Sequence, residues 1–385
     1  MNEKYRVFKR SKEFSANIIK KLKGYKELKN VYICGSILRR EALPMSDADL
    51  MYFGKHNKKI GCLKIDKIDR IDNIALKSKF AKRLLTCMSP ESGFLDSKPL
   101  LSGKKNHFYF KIYNNKQHLI NRFVWEYNYR FFNERSNNKG YNLKYSVGAY
   151  RDILLINLFG RFLKEKINHD KPEILGSIKK IRKVIKYDYK KLLESIKIIM
   201  LTKSIVLLAH SLTDTRGRTQ LTKKTLKEAF RYDGKFAGVT KNNLKEFWNK
   251  YLESKKCLKS FLDEIYKYIN TNHKDLYYNY IAISLKIIKN GSKRFIESVL
   301  DQKVGDTFPV LTSIIFNENC SKKILKKIAR KYSNDVGHYC TNRLIAKSTK
   351  TDNKTLIFML RNSRFALDDW TNERYKSIIK NRLKK

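Results

Sequence analysis

The segment "VYICGSILRREALPMSDADLMYFG", residues 31–54, decides the predicted fold of this chain. It begins with Val31 to Cys34, a β-branched and aromatic run bounded by a glycine, which favours a short buried strand. Gly35-Ser36 then predicts a tight turn, and the residues "ILRREALP" predict a short helix that ends at its proline. A second strand is predicted from Asp47 to Phe53.

Two aspartates share one face of that second predicted strand. Residues i and i+2 of a strand point to the same side, so Asp47 and Asp49 project together while Leu50 faces the other way. Carboxylate oxygens suit Mg²⁺, and the backbone N–H groups of a Gly-Ser turn suit a triphosphate. The alternative is a solvated Asp-x-Asp turn, but the preceding Gly-Ser favours a metal and nucleotide site.

The spacing of these residues resembles a known enzyme superfamily. Gly35-Ser36, a spacer with Arg39 and Glu41, and then "SDADL" at residues 46–50 resemble the DNA polymerase β-like nucleotidyltransferases. Within that superfamily the segment is most similar to the uridylyltransferase half of the bifunctional enzyme that modifies the nitrogen-signalling protein PII. That family carries "GRGE" and "SDxDL" at this spacing, whereas this chain has "LRRE" in place of "GRGE".

Two further segments extend the resemblance over residues 31–160. "YNLKYSVGAYRDI", residues 141–153, is similar to that family's "NLKxxxGGLRDI" segment, with Ala149 in place of the second glycine. "GFLDSKPLLSGKKNHF", residues 93–108, is similar to the stretch between the two motifs, where the family has a helix that ends in a glycine turn.

The resemblance implies an α+β fold class, with a small mixed-sheet nucleotidyltransferase domain followed by an all-helical region. The sheet domain is expected over residues 1–130, beginning with a helix within residues 3–28. A helical domain beside the catalytic cleft is expected over 140–300, and a C-terminal helical, repeat-like unit over 305–385. The polar stretch 131–142 is interpreted as the linker between the first two parts.

The resemblance also implies the chemistry of the site. Asp47 and Asp49 would hold Mg²⁺, or Mn²⁺ in its place, on the phosphates of a nucleoside triphosphate. The remaining nucleotide-binding residues that it implies are Gly35, Ser36, Arg39, Ser46, Lys144 and Arg151. A structural alternative remains open on the downstream segment, where Asp152 could simply pair with a nearby basic group and fix the start of a helix.

A third catalytic carboxylate is harder to identify. The superfamily usually supplies one from a neighbouring strand, and Asp66 is the first candidate after a predicted strand at Cys62 to Ile65. Asp69 and Asp72 follow at helical spacing and are interpreted as a solvated helix face.

Composition leaves two explanations for the net charge of +48. One is a nucleic-acid partner, because cations placed near phosphates release counterions. The other is an AT-rich genome, whose codons favour Lys, Asn, Ile and Tyr, and the lysines are indeed spread along the whole chain. Six scattered cysteines without CxxC spacing argue against zinc and favour reduced thiols.

The sequence predicts a cytoplasmic protein. Its longest apolar segment, "SIKIIMLTKSIVLLAHSL", contains two lysines and is interpreted as a buried helix. The N-terminus shows no signal-peptide pattern. His169-Asp170 lacks the partner histidines of the phosphohydrolase half of the PII enzymes, so no uridylyl-removing domain is expected.

The acceptor is the open part of the functional prediction. By resemblance it is a protein, and UMP is transferred to a tyrosine of a PII-like regulator. The alternatives are an RNA acceptor such as a tRNA end, which the basic charge favours, and a catalytically inactive protein that binds a partner through the same fold.

The last eighty residues contain an internal similarity. "NENCSKKILKKIAR" and "STKTDNKTLIFMLR" align at a constant offset of 31, pairing Ser321 with Asp352 and Leu325 with Leu356. Each copy reads as a polar helix cap followed by an apolar helix face, which predicts two stacked helical repeats.

Overall fold

The computed structural model describes most, but not all, of the 385 residues. The described residues are 6–25, 31–33, 35–38, 46–53, 68–76, 98–99, 116–136, 141–143, 146–163, 174–212, 220–221, 226–227, 230, 235–236, 239–240, 243–333, 338–363, 365 and 369–384. They fall into two compact units, which divide between residues 276 and 277. The predicted three-part division of the chain stays a prediction.

Seven helices form the framework of the first unit. They are α1 (Arg6–Lys23), α2 (Gly35–Leu38), α3 (Lys116–Ser136), α4 (Tyr150–Phe162), α5 (Ile174–Ile181), α6 (Tyr189–Leu212) and α7 (Leu244–Asn272), and the 3-10 helix Lys274–Leu276 follows. Helix α7 packs along α6, and α4 packs between α3 and α5. Where α4 crosses α5 the backbones approach closely, since a Cβ on Gly160 would lie 2.3 Å from Cβ of Ser177.

The first unit also contains a small four-stranded sheet. Its strands are β1 (Val31–Ile33), β2 (Ser46–Phe53), β3 (Ile68–Leu76) and β4 (Lys98–Pro99), in the order β3-β2-β1-β4. Strand β2 runs antiparallel to β1 and parallel to β3, and β4 is antiparallel to β1. Two-residue strands form the pairs β5 (Tyr141–Asn142) with β6 (Gln220–Leu221) and β7 (Lys235–Phe236) with β8 (Val239–Thr240).

The second unit is built from short helices around one hydrophobic core. The helices are α8 (Asn279–Asn290), α9 (Lys293–Leu300), α10 (Phe308–Phe316), α11 (Lys322–Tyr332), α12 (Tyr339–Lys347), α13 (Asn353–Asn362) and α14 (Asp369–Leu383), with a 3-10 helix at Lys303–Asp306. Their buried side chains form a single cluster that extends from Ile287 to Ile379. This unit therefore carries its own core.

The repeats predicted near the C-terminus are confirmed at the level of their capped helices. Ser321 accepts a hydrogen bond from the backbone N–H of Ile324 at 3.3 Å, and Asp352 accepts one from Thr355 at 2.7 Å. The aligned Leu325 and Leu356 are both buried, at 0% and 1% exposure. The same arrangement occurs once more upstream, where Ser292 caps α9.

Side-chain to backbone hydrogen bonds connect each helix pair of this unit to the preceding one. Asn317 donates from Nδ2 to the carbonyl of Ile287 at 2.7 Å, across 30 residues of sequence. Lys350 donates from Nζ to the carbonyl of Asn317 at 2.8 Å, across 33 residues. Arg382 donates to the carbonyl of Ala346 at 2.6 Å, across 36 residues. We call these bonds the inter-repeat ladder. Each one is accepted by a backbone carbonyl at or near the C-terminal end of a helix.

The α+β fold class predicted from the sequence is wrong. In the part of the chain that the structure describes, helices hold the large majority of the residues, and only β2 and β3 among the strands exceed three residues. The protein therefore belongs to a helical class, and the small sheet is a minor element within it. The prediction failed because the resemblance covered the segment around the sheet, whereas the long helices outside it determine the class.

Four local predictions have mixed outcomes. The apolar segment interpreted as a buried helix is confirmed as part of α6, and the leading helix is confirmed as α1. The linker interpretation is wrong for residues 131–136, which continue α3. The helix expected within 93–108 is wrong where the structure describes it, because Lys98–Pro99 is a strand. No described helix combines the length and the apolar character that crossing a bilayer requires.

Candidate functional site

The described residues of the segment 31–54 form a strand, a short helix and a second strand. Strand β1 ends at Ile33, α2 begins with Gly35 and Ser36, and β2 begins with Ser46. The strands form for the reason that the pattern indicated: Val31, Ile33 and Leu50 are buried, at 2%, 3% and 0% exposure. These apolar residues fix one face of the sheet against the core.

The register of β2 positions its aspartates relative to that core. Leu50 pairs with Ile33 in the antiparallel ladder and is fully buried. Since successive residues of a strand alternate between its faces, positions 47 and 49 belong to the face opposite to Leu50. The projection of Asp47 and Asp49 to one face stays a prediction, and Asp47 lies opposite a register shift between β2 and β3.

Strand β3 brings a further aspartate to this position, which the sequence reasoning missed. Asp49 is the register partner of Asp72 in the parallel pair, and Ser46 is the partner of Ile68. Register partners on neighbouring strands face the same side of a sheet. The interpretation of Asp69 and Asp72 as a helix face is therefore wrong, because both residues lie in β3.

The strand signal in β3 was missed because its sequence does not alternate between apolar and polar residues. Isoleucines recur every three residues, at 68, 71 and 74, which mimics a helical pattern although the chain is extended. A bulge also interrupts the pairing: Ser46 and Ala48 are two residues apart in β2, but their partners Ile68 and Ile71 are three residues apart in β3.

Several predicted site residues are not among those that the structure describes. Arg39, Asp66 and Lys144 are not among the described residues, and neither is His169. The structure gives the backbone of Asp47, Asp49 and Asp72 only. Among the side chains that the structure describes, which exclude these three aspartates, no three histidines, cysteines or carboxylates are grouped so that they could hold a metal.

The downstream segment, residues 146–152, is held mainly by packing. Gly148 has a positive φ of 74°, and a Cβ at that position would lie 2.2 Å from the carbonyl oxygen of Lys255 on α7. Asp152 accepts a hydrogen bond at Oδ2 from the backbone N–H of Gly148 at 2.6 Å. Asp152 thus binds the backbone just before α4, through an N–H group and not through the basic side chain that the structural alternative named.

The same segment carries buried charge. Lys203 is 8% exposed, and its Nζ lies 3.5 Å from the centre of the Tyr150 ring. Ser146 accepts a hydrogen bond at Oγ from Nζ of Lys255 at 3.0 Å. Arg151 is half-buried in the first turn of α4. Ala149 stands where the similar family motif has its second glycine. Its φ is −95°, a backbone conformation that alanine adopts without strain.

Comparisons with protein-family models, with curated proteins and with solved structures give no match for this chain.

Proposed function

We propose that the chain is a metal-dependent nucleotidyltransferase, which moves a nucleoside monophosphate from a nucleoside triphosphate onto a protein acceptor. By the resemblance, the nucleotide is UMP and the acceptor is a PII-like regulator. One observation carries the proposal: the register that pairs Asp49 with Asp72, with Asp47 two residues earlier in β2. Because fold class does not imply function, the proposal rests on these residues and on the order of the motif.

The donor set of these three positions fits a hard divalent cation. Three carboxylates supply only oxygen ligands, which Mg²⁺ and Mn²⁺ accept, and they leave coordination positions for phosphate oxygens. The metal, when bound, would stabilise negative charge on the transferred phosphoryl group and on the pyrophosphate. The protein's own contribution would be to position the triphosphate, with Gly35 and Ser36 beside its β and γ phosphates.

An RNA acceptor is the second candidate. The observation that favours it is the net charge of +48, which attracts any polyphosphate. The two candidates share the transfer step and the same aspartates, and they differ only in the acceptor.

The first test measures nucleotide binding without any acceptor. Calorimetric titration with each nucleoside triphosphate, with Mg²⁺ and with EDTA, is expected to show binding that depends on the cation. Asp47→Asn/Asp49→Asn is expected to lose it, Asp72→Asn is expected to weaken it at least tenfold, and Asp275→Asn is the matched control. Asp275 is an exposed carboxylate in the 3-10 helix of the first unit. Nucleotide binding that is the same with Mg²⁺ and with EDTA, and the same in the aspartate variants, would refute the proposed site.

The second test identifies the acceptor. Protein, Mg²⁺ and a nucleoside triphosphate radiolabelled on its α-phosphate are incubated with host lysate, which is then separated into protein and RNA. Label in a protein band that is lost with Asp47→Asn/Asp49→Asn supports the first candidate, and label in RNA supports the second. Cation-dependent binding without transfer to either fraction would favour an inactive binding protein.

A further inference from the structure

The segment "KKIRKVIKYDYKK", residues 179–191, carries the densest run of cations in the first unit that the structure describes. Seven of its thirteen residues are Lys or Arg, whereas the whole chain has 84 in 385. All seven are exposed, and we call them the α5–α6 basic patch: Lys179, Lys180, Arg182, Lys183, Lys186, Lys190 and Lys191. Because the seven cations lie within thirteen consecutive residues, they are near one another in space.

The backbone of this segment is anchored firmly. Tyr187 donates a hydrogen bond from its hydroxyl to the carbonyl of Cys257 at 3.0 Å, and its ring packs on Phe261 with centroids 4.9 Å apart. Tyr189 packs on the same phenylalanine, with centroids 5.9 Å apart. Ile185 is also buried, at 6% exposure. The cations are therefore displayed on a fixed connection between α5 and α6, which lowers the entropy cost of binding a partner.

Within the described structure the patch lacks ion pairs, and one of its cations, Arg182, lies over the Tyr189 ring at 5.8 Å from the ring centre. In the part of the chain that the structure describes, none of the seven cations forms an ion pair. The one acid within the segment, Asp188, accepts the backbone N–H of Lys191 at 3.0 Å, as a residue at the start of a helix does. The basic helix α11 differs, because Lys327 and Lys331 there are paired with Asp301 and Asp306.

We propose that the α5–α6 basic patch binds the phosphate backbone of a nucleic acid. Several unpaired cations at fixed positions along a helix end and a turn match a row of phosphates, and their binding would release condensed counterions. The two tyrosine rings of the segment already pack on Phe261, so they do not serve as platforms for stacking bases. The proposed contact therefore depends on the charge of the phosphates and does not distinguish one base sequence from another.

A lipid surface fits the segment less well. Insertion into a membrane needs apolar side chains beside the cations, and the only exposed large hydrophobic residue within 179–191 is Val184, at 39% exposure. The inference does not depend on nucleotidyl transfer, since none of the patch residues belongs to the candidate site on the sheet.

The test compares two triple variants of the full chain that remove the same charge. Lys180→Gln/Lys183→Gln/Lys186→Gln neutralises part of the patch. The control neutralises three exposed lysines that are dispersed along α7, in Lys245→Gln/Lys256→Gln/Lys267→Gln. Fluorescence anisotropy would measure binding of labelled RNA and DNA oligonucleotides, single-stranded and duplex, over a series of salt concentrations. Circular dichroism would establish that both variants are folded.

The patch variant is expected to bind at least tenfold more weakly than the control variant, for all sequences alike. For duplex DNA the slope of log K against log salt is expected to fall by about 0.9 for each lost phosphate contact. Equal losses in both variants would overturn the proposal in favour of diffuse charge. Binding to vesicles with anionic lipids that depends on the patch, without comparable oligonucleotide binding, would overturn it in favour of a membrane.

Discussion

Gly148 shows at the scale of one residue how a motif position can be explained by packing. Its positive φ and its approach to the backbone of Lys255 exclude any side chain there. The resembling family has a glycine at this position too, so the sequence pointed to the right residue. The sequence could not reveal the reason, because the contact joins residues that are more than a hundred positions apart.

The Gly148→Ala variant tests this explanation. The new methyl group would require a left-handed conformation and would clash with the carbonyl oxygen 2.2 Å away. We expect the free energy of unfolding to fall by about 2–4 kcal/mol in chemical denaturation. Gly176→Ala in α5 is the control, since nothing lies within 4 Å of a Cβ there, and we expect a gain of up to about 1 kcal/mol. Equal effects at the two glycines would contradict this account.

At the scale of elements, the helix caps were predictable and the sheet was only partly so. A polar cap followed by an apolar stripe is a local signal, and it correctly located the starts of α11 and α13. Strand β2 was predicted to within one residue, because its alternation is local as well. Strand β3 was not predicted, since its apolar residues recur every three positions instead of alternating.

The caps of α11 and α13 are expected to contribute similarly to stability. Ser321→Ala and Asp352→Ala each remove the acceptor of one backbone N–H group. We expect each substitution to lower the free energy of unfolding by about 1 kcal/mol, and Asp352→Asn, which keeps an acceptor, to cost less. Urea titration monitored by circular dichroism measures all three variants. A larger loss for Asp352→Asn than for Asp352→Ala would refute the capping role.

The cap of α13 also predicts a dependence on pH. Hydrogen bonding from Thr355, whose backbone N–H donates to the Asp352 carboxylate at 2.7 Å, lowers the pKa of Asp352 below its ordinary value. A carboxyl with a lowered pKa stabilises the fold above its unfolded pKa, and that stability is lost as the pH falls through the folded value. The difference in stability between the natural chain and Asp352→Asn is therefore expected to shrink as the pH falls below about 4. A constant difference between pH 3 and pH 6 would argue against it.

At the scale of the whole molecule, the division into two units gives a prediction about a fragment. The core of the second unit is contained within residues 287–379, so the fragment 277–385 is expected to fold without the rest of the chain. Circular dichroism and urea denaturation should show a helical, cooperatively unfolding species. A fragment ending at residue 347 loses α13 and α14, and with them part of the core, so it is expected to be less stable. A fragment 277–385 that lacks cooperative unfolding would contradict the assignment of a separate core.

The fold class was the least predictable property at this scale. A motif of a few residues is specific for its own neighbourhood, and the described part of residues 31–54 has a strand, a helix and a strand in the expected order, although Gly35 and Ser36 begin the helix instead of forming a turn. The class depends instead on how many residues outside the motif are helical. Sequence periodicity identified α6 and the capped helices individually, but a resemblance limited to residues 31–160 could not determine the balance of the whole chain.

The bonds of the inter-repeat ladder favour rapid, stepwise folding of the second unit. Its bonds join residues that are 30, 33 and 36 positions apart, so each closes a short loop and none requires the distant ends of the unit to meet. Chains rich in such local contacts fold quickly. Each helix pair can settle onto the one already in place as the polypeptide leaves the ribosome, and Arg382 completes its junction only after α14 has emerged.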